Sequence, residues 1–124
     1  MAKDEKKVLA IGKQDKENAE GGYYPFLIAL TAAARGYDAT VYMMWGAVEF
    51  VKKGVADNIT APNSAGLSET IKDAMDAGVK VFVCSRSCTE RGIDSEDQLI
   101  DGVKMGGMFE LIDIVDESDI VLEF

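Results

Sequence analysis

"VKVFVCSRSCTERGI", residues 79–93, decides how this chain folds. Val79 to Val83 is apolar apart from Lys80, as a strand covered on both faces reads. A cysteine, Cys84, closes the run. Just before it, "LSETIKDAMDAG" carries apolar residues at Leu67, Ile71, Ala74 and Met75, a helical spacing, and Gly78 suits its C-terminal cap. If "SRSCTERG" begins as a helical turn, the stretch is the middle of a helix–strand–helix unit, with chemistry-bearing side chains at the strand's carboxyl end.

The same alternation extends in both directions. Lys7 to Gly12 predicts a first strand, and "KQDKENAEGG" reads as a polar loop. The segment from Tyr24, "YPFLIALTAAARG", predicts a helix with Pro25 in its first turn and Gly36 at its cap. It is apolar almost all round, so more than one side is expected to be buried. Asp38 to Trp45 predicts a second strand, "GAVEFVKKG" a short helix ending at Gly54, and "VADNITAPNSAG" a loop with a short extended piece. Downstream, Ser95 to Asp101 predicts a short helix with Ser95 as N-cap, and "GVKMGG" a very short strand. "MFELIDIVDES" has a helical stripe at Met108, Leu111, Ile112 and Val115, and "DIVLEF" predicts a last strand. Strands separated by helices give parallel pairs and a three-layer α/β/α sandwich. There is no repeat, low-complexity tract or dividing linker, so residues 1–124 read as one domain.

Composition narrows the function. The 124 residues are 48 % hydrophobic and carry 22 acidic against 13 basic side chains, a net charge of −9. That opposes a nucleic-acid footprint, which needs a basic face, and it opposes anionic membranes. No apolar run approaches the roughly 20 residues of a membrane span. "MAKDEKK" does not open a signal peptide, so a cytoplasmic protein with free thiols is expected. There is no histidine, which excludes His metal ligands and any Cys-His or Ser-His mechanism within the chain. Two cysteines are too few for a structural zinc site. No metal and no cofactor is expected.

Nucleotide and phosphate sites fail on spacing. "IGKQDKENAEGG" fits neither G-x-G-x-x-G nor G-x-x-x-x-G-K-[ST]. Cysteine phosphatases place an arginine six residues after the nucleophile. Here Arg86 and Arg91 follow Cys84 by two and seven.

That leaves the thiols. In such sheets ligand sites lie past the carboxyl ends of strands, where Cys84 falls. A helical turn after it would point free N–H groups at the sulfur, and Arg86 and Arg91 would add positive charge; both lower a thiol pKa. Cys84 thus reads as a nucleophile, or else as a small buried hydrophobe. Cys88, four residues on, would share a helix face with it. It is either a second, resolving thiol or core packing. Tyr23, Tyr24, Met43, Met44, Trp45, Met105 and Met108 fall in loops and strand ends that a parallel sheet brings toward Cys84. They read as a sulfur-tolerant apolar pocket, or as core and subunit interface. The acidic run "DSEDQLID" reads as a solvated face, or as a surface for a basic partner.

The order of these pieces resembles the DsrE/DsrF-like family. The matching positions are Gly78-Val79, the strand Val81 to Val83, Cys84, Arg91-Gly92-Ile93, Gly102-Val103, Gly106-Gly107 and the terminal Asp119 to Phe124. The N-terminal half fits as well, through a helix running into "GYDATVY". The resemblance implies a five-stranded parallel sheet of order 4-3-2-1-5 and assembly into homo-trimers or hexamers. It also implies a sulfur carrier or sulfurtransferase component. In the family's sulfur-relay members the cysteine matching Cys84 accepts sulfane sulfur as a persulfide and passes it to a partner protein. Cys88 is not part of that shared pattern. A thiol–disulfide or peroxide-reducing protein using Cys84 and Cys88 therefore stands beside the carrier reading, as does a non-catalytic oligomeric or ligand-binding module.

Overall fold

Five strands form one sheet: β1 (Lys7–Gly12), β2 (Asp38–Met43), β3 (Lys80–Cys84), β4 (Lys104–Gly106) and β5 (Ile120–Glu123). All neighbours are parallel, in the order β4-β3-β2-β1-β5. The computed structural model describes residues 6–124, so the charged opening of the chain lies outside the described residues. Four α-helices connect the strands: α1 (Ala19–Ala34), α2 (Leu67–Asp76), α3 (Ser85–Glu90) and α4 (Met108–Glu117).

The topology places the helices. The chain steps outward through β1, β2, β3 and β4, then returns to add β5 on the far side of β1. Parallel crossovers are right-handed, so reversing the direction of travel puts α4 on the opposite face from α1 and α2. Side chains alternate along a strand, so each strand feeds two clusters. Val8, Ala10, Val41, Met43, Val81 and Val83 join Phe26, Leu67 and Ile71 in the large core under α1 and α2. Leu9, Ile11, Tyr42 and Cys84 face the other way, covered by Leu111, Ile114 and Val115 of α4.

That second face is thinly covered. Within the α4 stripe, Leu111 and Val115 pack on the sheet as predicted and Ile114 joins them. Met108 and Ile112 are exposed instead, and Phe109 is 91 % exposed. Phe82, on the same face of β3, stays half-buried.

Several predicted boundaries move. Helix α1 begins at Ala19, not Tyr24, because the Asn18 side chain caps it by accepting from the Gly21 N–H. Gly21 and Gly22 look like loop residues, but they are close-packing positions. A Cβ on Gly21 would strike the Gln14 side chain, and one on Gly22 the Phe50 ring. Pro25 therefore sits inside the helix. It forgoes the bond to the carbonyl four residues back, and its ring lies against Gly12 of β1.

Strand β2 stops at Met43, and Trp45 opens a 3₁₀ segment, Trp45–Val51, in place of a helix reaching Gly54. Its Ala47, Val48, Phe50 and Val51 are all buried, which holds the segment down without α-helical bonds. The short extended piece expected after it is a 3₁₀ turn, Ala56–Asn58. Strand β3 includes Cys84 as its last residue. Ser95 is an N-cap as predicted, with the Gln98 side chain accepting from its N–H, but the element is only a 3₁₀ turn, Glu96–Gln98. Gly36 and Gly78 end α1 and α2 with φ of +91° and +97°, the left-handed geometry glycine adopts freely.

Candidate functional site

Cys84 ends β3 and is the N-cap of α3. The apolar run carries the chain through the sheet, and the polar "SRS" that follows turns it into the short helix. The register pairs Tyr42 with Phe82. Cys84 lies two residues beyond Phe82, so Tyr42 and Cys84 share the α4 face of the sheet. The residue is only 2 % exposed, yet it forms part of the wall of a cavity of about 210 Å³. Met44, Trp45 and Met108 line its apolar side, and Arg86, Ser87 and Glu90 its polar side.

The surroundings favour a thiolate. Burial alone would push the Cys84 thiol up. Ser87, through its hydroxyl and its N–H, then the Tyr42 hydroxyl and the Arg86 N–H, outweigh burial and hold its pKa below the ordinary value. Ser87 is fixed for this task. Its Oγ accepts from the Trp45 N–H at 2.9 Å, so its single hydroxyl proton remains free to donate. Trp45 aims that N–H from a left-handed backbone, φ +54°, which is rare for a bulky residue. Tyr42 is held by its hydroxyl, which donates to the Gly106 carbonyl at 3.0 Å. Burial, and then the negative charge of a Cys84 thiolate, push the Tyr42 phenol above its usual range. It therefore stays protonated while the thiol titrates, with its proton directed at the Gly106 carbonyl.

Ser87→Ala should thus raise the Cys84 pKa. Loading or alkylation of this thiol requires the thiolate, so its rate should rise with pH with a midpoint below the ordinary thiol value. In Ser87→Ala the midpoint should move to higher pH, with a several-fold lower rate at neutral pH. Alkylation rate against pH measures both.

The other predicted residues are placed differently. Arg86 acts on the Cys84 thiol through its backbone N–H, which helps to lower the pKa. Its guanidinium is largely exposed and lies 3.3 Å from Glu90. Arg91 donates from Nη1 to the Ser87 carbonyl at 3.2 Å and lies near Glu49 and Glu90, so it braces α3 against the 3₁₀ segment. Cys88 has no exposure and belongs to the large core on the opposite face. Its pKa is pushed up to about 11, first by burial and then by charge at Cys84, with Arg91 opposing. Of the predicted apolar group, Met44, Trp45 and Met108 reach the cavity. Met43 is core and Met105 packs against it. Tyr23 donates to the Ala65 carbonyl at 2.7 Å, and Tyr24 stacks on Phe124. Among the described residues no three His, Cys, Asp or Glu side chains gather as a metal site requires.

Sequence reasoning missed Tyr42, Ser87 and the Trp45 amide. Two signals were present. Aligning "VYMMW" with "VFVCS" in parallel register puts Tyr42 on the cysteine's face. Ser87 is the third residue after an N-cap, where a side chain can turn back toward the capping residue.

A parallel sheet of order 4-3-2-1-5 with a cysteine at the carboxyl end of β3 defines a small α/β class, and the family is identifiable. The profile of the DsrE/DsrF-like family matches residues 6–124. The chain belongs to that family. Uncharacterized protein MJ0989 of Methanocaldococcus jannaschii is 35 % identical over 105 residues, covering 85 % of this chain and 88 % of the relative. Uncharacterized protein MK0008 of Methanopyrus kandleri is 30 % identical over 105 residues, covering 85 % and 83 %. Among solved structures, the ychN protein from E. coli shares the fold with a TM-score of 0.80 at 21 % identity, over 96 % of this chain and 99 % of that one. MTH1491 from Methanobacterium thermoautotrophicum, a protein of unknown function, does so with a TM-score of 0.69 at 16 % identity, over 98 % and 100 %.

Proposed function

We propose that this protein is a sulfur carrier. Cys84 accepts sulfane sulfur as a persulfide and passes it to an acceptor thiol on a partner. One observation carries the reading: Cys84 stands at the carboxyl end of β3 and the N-cap of α3, in the wall of a cavity lined by Met44, Trp45, Ser87 and Met108, where its neighbours lower the thiol pKa against the effect of burial. A thiolate attacking sulfane sulfur needs stabilised negative charge before the step and on the persulfide after it. It needs no histidine and no metal. The same donors serve both states, since each is an anionic sulfur within reach of N–H and O–H groups. A cytoplasmic setting, where free thiols stay reduced, suits this chemistry.

Cys88 gives no support to a dithiol cycle, because it is a buried, protonated thiol in the opposite core. The thin cover on the α4 face supports self-assembly. Phe109 and its exposed neighbours Met108 and Ile112 form an apolar face of the kind that copies of one chain bury against each other. Phe109→Asp should convert an oligomer to monomer, read by sedimentation velocity. A wild-type monomer at micromolar concentration would end that part of the proposal.

The carrier reading is tested by cyanide. Protein loaded with an uncharged alkyl hydropersulfide and freed of excess donor should release about one thiocyanate per Cys84 persulfide. It should also lose that yield after exposure to a small thiol acceptor. No thiocyanate from loaded wild type would overturn the reading.

A further inference from the structure

The cavity at Cys84 has a charge pattern that bears on what can deliver sulfur to it. Its apolar side, Met44, Trp45 and Met108, suits polarizable sulfur over hydrated ions. Sites that bind small oxyanions use a guanidinium or ammonium free to fork onto them. The cation lining this cavity is Arg86, and its Nε lies 3.3 Å from the Glu90 carboxylate, which lines the cavity too. Arg91 is committed to the Ser87 carbonyl, Glu49 and Glu90. A further carboxylate, Glu110, lies against Gly106, beside the Tyr42 hydroxyl. The chain as a whole repels anions, with a net charge of −9.

We infer that the Cys84 cavity takes sulfur from donors that are uncharged at the reacting sulfur, hydropersulfides in their protonated form, and discriminates against sulfonated dianions such as thiosulfate, with Glu90 as the discriminating residue. The inference rests on the carrier reading. In the favoured step the Cys84 thiolate attacks the outer sulfur of RS–SH. A new S–S bond forms, and the bond between the donor's two sulfurs breaks. Its electron pair leaves as RS⁻, while the transferred sulfur keeps its hydrogen, giving Cys84–S–SH. One negative charge passes through the cavity. With thiosulfate the leaving group is sulfite, and three negative charges must share a space whose guanidinium is already neutralised. Burying them without an unpaired cation is costly.

The test compares loading rates by intact mass with two probes, thiosulfate and an alkyl hydropersulfide whose organic group is uncharged. Wild type, Glu90→Gln, Arg86→Gln and the double variant are run together. Ratios of the two rates cancel the donors' intrinsic reactivities. Freeing Arg86 in Glu90→Gln should raise the thiosulfate-to-hydropersulfide ratio about fivefold, the effect of one partly exposed charge. Arg86→Gln should lower the ratio, and the double variant should return near wild type. In wild type, added salt should speed thiosulfate loading by screening repulsion. An unchanged or lower ratio in Glu90→Gln, or thiosulfate loading that slows with salt, would overturn the inference and leave the carrier reading standing. Wild type that loads from neither donor would overturn both. The salt measurement needs no variant, so slowing with salt would overturn the inference even if a substitution disturbs folding.

Discussion

Cys84→Ser is expected to remove sulfur loading altogether, a loss of more than about a hundredfold, because a serine hydroxyl does not ionise near neutral pH and forms no persulfide. The same substitution should abolish the fast phase of native-state alkylation, since the remaining thiol is fully buried and has a pKa pushed up to about 11. Cys88→Ser should do the reverse. Loading should persist, while stability falls by about 1–2 kcal/mol, because a hydroxyl replaces a thiol in an apolar core. Thermal unfolding and mass spectrometry of the two variants separate these effects. A Cys88→Ser protein that folds normally but cannot be loaded would point to the dithiol alternative.

Phe50→Ala should produce the largest loss of stability, about 3–5 kcal/mol, the usual range for deleting a buried ring. Phe50 has no exposure, and its ring lies against Gly22 of α1, where no other side chain fits. The neighbouring helix cannot close the gap cheaply, so the cavity would persist. Typical domains hold only about 5–15 kcal/mol in total, so the variant should unfold at a much lower denaturant concentration. The effect also reaches the site. The 3₁₀ segment that Phe50 anchors begins at Trp45, whose N–H orients Ser87. A loss below about 1 kcal/mol would contradict a packed 3₁₀ segment.

The strands were legible because periodicity reports burial directly. "KVLAIG" and "VKVFV" each read as a strand and each is one, the second displaced by one residue to take in Cys84. The order 4-3-2-1-5 was not visible in any local pattern. It came with the family resemblance, and the structure has that order. The misreadings share a cause. Gly21, Gly22 and Pro25 follow local rules for loops and first turns, and tertiary packing overrides those rules, since Gln14, Phe50 and Gly12 lie against them. Trp45 was read as a strand end for the same reason: nothing local announces a left-handed aromatic whose amide is claimed by a serine 42 residues later. At the site, the position of Cys84 followed from sequence. Its electrostatics did not, because the arginines adjacent in sequence turn their charge to Glu49 and Glu90, while a strand-neighbour tyrosine and Ser87 lower the thiol pKa.

The central claim is that Cys84 carries sulfur. It is tested most directly by the intact mass of wild type, Cys84→Ser and Cys88→Ser after incubation with an alkyl hydropersulfide whose organic group is uncharged. Wild type and Cys88→Ser should gain whole sulfur atoms, reversed by reductant, and Cys84→Ser should gain none. A wild-type mass that does not change, or a gain that survives in Cys84→Ser, would contradict it.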